Sequence, residues 1–137
     1  MLHRTWGAAA AALALITTAA SAQTAAVKDP VTDGRPLSAW VADLKADAPQ
    51  VRNAAAYEIS GLGPAAAPAV PALIEALDDP APTVRFPVTV ALGEIGPAAA
   101  AAVPRLKKMM DDEVNDEIAA AAKRALRRIQ PEALSSE

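Results

Sequence analysis

Residues 63–79 (GPAAAPAVPALIEALDD) and residues 96–112 (GPAAAAAVPRLKKMMDD) agree at 11 of 17 positions, thirty-three residues apart. A fixed period of that size constrains the fold more than any other feature of the chain. It marks stacked supersecondary units, none of which buries its apolar face alone. Alanine raises the match, but the Gly-Pro, Val-Pro-x-Leu and Asp-Asp landmarks are shared without it.

Apolar positions between the landmarks fall at helical spacing. Leu37, Trp40, Val41 and Leu44 form one stripe, and Val51, Ala55, Ile59 and Leu62 the next. Leu73, Ile74 and Leu77 repeat the first stripe, and Val84, Val88, Ala91, Leu92 and Ile95 repeat the second. Leu106, Met109 and Met110, followed by Ile118, Ala122, Ala125, Leu126 and Ile129, make a third copy. The spacing predicts an all-α chain, a short α-solenoid of three antiparallel helix pairs over residues 37–63, 64–96 and 97–131. Alternation of the strand type is absent.

The punctuation agrees with that count. Gly63 and Gly96 follow the last apolar residue of a helix, where a left-handed cap favours glycine, and Pro64 and Pro97 stop continuation. Asp78, Asp79, Asp111 and Asp112 supply turn acids, and Thr83 is placed to cap the helix after it. Pro71 and Pro104 either occupy the opening turn of their helices or kink them. Pro87 falls inside a helix and forfeits one backbone hydrogen bond there. Glu58 stands where the next repeat has Ala91.

The chain begins with the pattern of an export signal. Arg4 precedes a small-apolar run over residues 8–16, and Ala20-Ser21-Ala22 has the small-x-small form of a signal-peptidase site. A signal peptide over 1–22 is the expectation, with a flexible leader over 23–36 and a disordered tail over 132–137. The apolar run is shorter than the roughly 20 residues a membrane span needs. Cleavage would leave 137 − 22 = 115 residues with 12 basic and 16 acidic side chains. A net charge near −4 gives no general attraction to nucleic acid or anionic membrane.

The same cleavage would take His3, and the chain has no cysteine. What remains cannot build a His-dependent or Cys-dependent nucleophile pair, nor a zinc site of imidazole and thiolate. The adjacent acids Asp78/Asp79, Asp111/Asp112 and Asp116/Glu117 read as solvated turn residues, because neighbours along a helix point apart. No catalytic residue, metal ligand or cofactor is expected.

Residues 51–63 (VRNAAAYEISGLG) and 84–96 (VRFPVTVALGEIG) carry a more specific likeness. They resemble the second helix of HEAT-like repeats of the phycobilin-lyase type, in an exported bacterial protein. The family pattern runs Val-Arg-x-x-Ala-x-x-Ala-Leu-Gly-x-Ile-Gly after an Asp-Pro turn, and the likeness covers about residues 37–131. The third copy departs: Ala119 replaces the arginine of Arg52 and Arg85, Gln130 replaces the glycine, and one residue is inserted before it. The resemblance implies that Arg52 and Arg85 form a structural ladder with turn acids such as Asp47, Asp78 or Asp79.

It also implies that function resides on the concave face made by the second helix of each pair. Away from the core stripes those helices offer Asn53, Tyr57, Phe86, Thr89, Val90, Lys123, Arg124 and Arg127. Aromatics beside arginines suit a protein interface, and Tyr57 and Phe86 are the only Tyr and Phe in the chain. The expected partner is a protein or peptide segment, acidic or amphipathic, bound without catalysis by an exported, periplasmic or secreted scaffold. Neither nucleic-acid binding nor stable membrane insertion after cleavage is expected. Two alternatives stay open: a lyase-type or accessory subunit of an enzyme, and a structural module that self-associates end to end.

Overall fold

The computed structural model describes residues 28–135. The expected signal peptide over 1–22, the leader over 23–27 and the last two tail residues lie outside them. Six α-helices follow a small hairpin: α1 Leu37–Asp43, α2 Pro49–Gly61, α3 Val70–Ala76, α4 Pro82–Ile95, α5 Val103–Asp112 and α6 Asp116–Ile129. They pair as α1/α2, α3/α4 and α5/α6, and α4 packs between α2 and α6. The expected all-α solenoid of three pairs is the architecture observed.

Gly63 and Gly96 take φ of 55° and 78°, the left-handed region that a side chain resists, and each ends its repeat there. Seven residues of 3₁₀-helix follow in both places, Gly63–Ala69 and Gly96–Ala102. Ala66 and Ala69 in the first, and Ala99 and Ala102 in the second, are fully buried. Spacing of three puts each alanine pair on one face of a helix with three residues per turn. Small side chains there let the backbone approach closely, and α1 and α3 rest on these segments. Pro71 and Pro104 sit in the opening turns of α3 and α5, where the missing N–H costs nothing.

The core runs along the seam between the two helix layers. Ile59, Leu73, Leu92, Leu106 and Leu126 are among its fully buried members. Residues 82–112 are apolar and helical enough to satisfy a membrane-span test by length and composition, yet the helix breaks at Gly96 and half of its most apolar window is buried. This stretch is the middle of the solenoid seam.

Three expectations are corrected at the ends. The leader is not free over residues 28–36. Val31–Thr32 and Arg35–Pro36 form an antiparallel hairpin, with Asp33 (φ 47°) and Gly34 (φ 70°) in the positive-φ turn that Asp-Gly favours. Thr32 donates to Glu58 at 3.0 Å, the Trp40 indole N–H donates to the Thr32 carbonyl, and the Arg35 guanidinium lies 4.0 Å above the Trp40 ring. The hairpin thus covers the open end of the first pair, and Glu58 departs from alanine because it meets a hairpin hydroxyl rather than another helix. Val51, expected in the core, is 39% exposed because no earlier helix covers its side of α2. At the other end Pro131–Leu134 forms a 3₁₀ turn with Ala133 buried, so the tail is ordered that far. Thr83 caps nothing: Ala81 is the N-cap of α4, and its N–H donates to Asp79.

A stacked helix layer with an arginine ladder

Every side chain of the candidate site is placed by the repeat register. Equivalent positions are thirty-three residues apart from α2 to α4 and thirty-four apart from α4 to α6, since Pro82–Ile95 and Asp116–Ile129 are of equal length. The inserted residue therefore lies ahead of the turn that opens α6, not within that helix.

Arg52 and Arg85 form the expected ladder. Arg52 grips Asp79 with two nitrogens, at 2.6 and 3.1 Å, and spends its third on the carbonyls of Ala46 and Asp47. Arg85 grips Glu113 at 3.0 and 3.1 Å and reaches the carbonyls of Asp79 and Pro80. Each arginine therefore ties its own turn to the carboxylate of the following repeat, a planar fork meeting a planar acceptor. Asp78 is not a rung, for it pairs with Arg105 near the surface. Glu113 takes the rung instead. Its carboxylate accepts from Asn115 N–H as Asp79 accepts from Ala81 N–H, so the one-residue insertion moves the acid from an aspartate to the next glutamate. The ladder stops at both ends, with Ala46 where the acid would stand and Ala119 where the arginine would.

The rungs shift their carboxylates. Burial pushes Asp79 up, but the Arg52 hydrogen bond, the Ala81 N–H and the nearby guanidinium charges outweigh it and hold the group below the usual range. Glu113 is lowered chiefly by its Arg85 hydrogen bond, with partial burial opposing.

The face carried by α2, α4 and α6 is read in rows by the same register. Asn53 and Phe86 share one row, Tyr57, Val90 and Arg124 the next, and Ser60, Gly93 and Arg127 a third. The structure gathers the expected face residues into two clefts. Asn53, Tyr57 and Phe86 meet Thr83, Asn115 and Glu117 around one of about 290 Å³. Val90, Arg124 and Arg127 border the other, also about 290 Å³, between α4 and α6. Tyr57 is half exposed, whereas Phe86 leans on the core.

Two expected face residues lie elsewhere. Thr89 is fully buried, its hydroxyl donating to the Arg85 carbonyl. Lys123 is its equivalent on α6, and Ala56 the equivalent on α2. This position points at the following repeat, so Ala56 and Thr89 are buried while Lys123, on the last helix, is exposed at the open end.

Asn53 has a structural task as well. Pro87 has no N–H, which leaves the Thr83 carbonyl four residues earlier without its helical donor. The Asn53 amide of the preceding repeat donates to that carbonyl. Asn53→Ala is expected to cost about 0.5–1 kcal/mol, and little once Pro87→Ala restores the helical N–H. Chemical denaturation of the two single variants and the double variant reads this coupling; strictly additive losses would remove Asn53 from the role.

The family model for HEAT repeats matches residues 37–127. No curated protein matches the chain. The match spans most of the sequence, and the chain belongs to the HEAT-repeat family. HEAT repeats commonly mediate protein–protein interactions.

Proposed function

We propose that this HEAT-repeat chain is a non-catalytic scaffold that binds a protein or peptide segment on the α2/α4/α6 face, outside the cytoplasm. The observation that carries the reading is the pair of clefts on that face, one beside the half-exposed Tyr57 and one edged by arginines. An exposed aromatic next to a recess is the ordinary chemistry of an interface anchor. Export rests on the small-apolar run and the Ala20-Ser21-Ala22 pattern. Assignment to the phycobilin-lyase type of repeat rests on the Val-Arg start and Gly end that residues 51–63 and 84–96 share.

End-to-end self-association is disfavoured by the two ends. A further copy stacked on α6 would bury Lys123 opposite no rung acid and would find Ala119 where the ladder needs arginine. Co-purification from an envelope extract tests the binding reading, comparing the natural chain with Tyr57→Asp and with Ala42→Asp at an exposed position of α1. Partners should be lost from the first variant alone. Equal recovery by all three proteins would remove Tyr57 and its cleft from the account.

A further inference from the structure

The cleft between α4 and α6 has a floor of small residues. A methyl added at Gly93 would lie 3.1 Å from the Ala125 Cα, so the two helices touch closely there. Ala121, Ala125 and Val90 leave the space above that contact unfilled. A recess of about 290 Å³ stands at the bottom of the range for small-molecule sites, about 300–1,000 Å³. It suits one large aliphatic side chain.

The rim has a distinct charge. Most cations of the repeats are spent on carboxylates: Lys45, Arg52, Arg85, Arg105, Lys108 and Arg128 all hold an acid. Arg124 and Arg127 hold none among the described residues, and both edge this cleft. The one acid on the rim, Glu94, is engaged by Arg128. A chain of net charge −3 thus presents a locally cationic, apolar-floored recess.

We infer that this cleft takes an acidic peptide segment, seating one aliphatic side chain on Gly93, Ala121 and Ala125 while flanking carboxylates meet Arg124 and Arg127. The inference rests on the protein-binding reading and adds the partner's chemistry and its seat. Planar guanidinium groups receive carboxylates in two parallel hydrogen bonds, and the contact steers association at low salt. A basic or neutral segment with the same apolar anchor gains nothing from the rim.

The probe is a blocked pentapeptide, Glu-Glu-Leu-Glu-Glu, titrated into the ¹⁵N-labelled full-length protein and followed by amide chemical shifts. The amides of Gly93, Ala121 and Arg124 should move, and those of Asn53 and Tyr57 should stay. Replacing the glutamates by glutamine, the leucine by alanine, or the protein's Arg124 and Arg127 by glutamine should each weaken binding at least tenfold. Shifts centred on Tyr57, equal binding of the glutamine peptide, or no shift at millimolar peptide would overturn the inference. So would vesicles of phosphatidylglycerol that bind through Arg124 and Arg127 when the peptide does not. If the peptide fails while Tyr57→Asp still loses its partners, the acidic seat is wrong and the scaffold reading stands; if Tyr57→Asp loses nothing while the peptide binds, the acidic seat stands and Tyr57 drops out as an anchor.

Discussion

Leu92→Ala is expected to destabilise the protein by about 2–5 kcal/mol, the usual cost of removing a buried isobutyl group and leaving its cavity. Leu92 is fully buried on α4, the helix packed against both α2 and α6. Alanines make up a large part of the core, and an alanine beside a void has no flexible atoms with which to close it. Total stability for a domain of this size is about 5–15 kcal/mol. The variant should therefore unfold at much lower denaturant, with the far-UV signal and Trp40 fluorescence falling together. Val114→Ala is the contrast: Val114 is 94% exposed, and a surface truncation should stay within about 0.5 kcal/mol. A loss at Leu92 no larger than at Val114 would mean that α4 is not the keystone of the stack.

Asp79→Ala should give the second large loss, about 1–3 kcal/mol, by leaving the Arg52 fork and the Ala81 N–H without their acceptor. The Arg52 and Asp79 side chains are 13% and 7% exposed, so residual water screens the pair and keeps the loss below that of a fully dry one. The same rung makes stability depend on pH. Asp79 and Glu113 titrate lower in the folded chain than in the unfolded chain. The folded state then binds fewer protons in the acid range, so the contribution is complete above the ordinary carboxylate range and is lost as pH falls through the folded values. Thermal melts stepped downward from neutral pH should show a steep acid decline in the natural chain and a shallower one in Asp79→Asn/Glu113→Gln. Identical slopes would take the ladder out of the acid response.

The pairs were legible because a glycine followed by proline closes the first two copies, and a positive-φ cap followed by proline stops a helix. Other parts were hidden for identifiable reasons. The 3₁₀ segments hold only glycine, proline and alanine, so no contrast in side-chain size exposes their spacing of three. The N-terminal hairpin has two-residue strands, too short to show alternation, although Asp33-Gly34 was a usable turn signal. Thr89 was assigned to the face because it lies off the apolar stripe of its helix. On α4, with neighbours on both sides, eight residues are buried, against three on α2. Glu113 was missed because a one-residue insertion moves the rung off the aspartate repeat. Asn53 bonds a backbone carbonyl freed by Pro87, and a pattern of side chains does not display such an acceptor. The two clefts depend on which rows converge, and the exact register across the insertion set that.

The most direct test of the central claim is the co-purification of partners with the natural chain, Tyr57→Asp and Ala42→Asp, each first shown by thermal melting to be folded. The account predicts that proteins recovered with the natural chain and with Ala42→Asp are lost with Tyr57→Asp. Recovery undiminished by Tyr57→Asp, or lost only with Ala42→Asp, would contradict a partner anchored at Tyr57 on the α2/α4/α6 face.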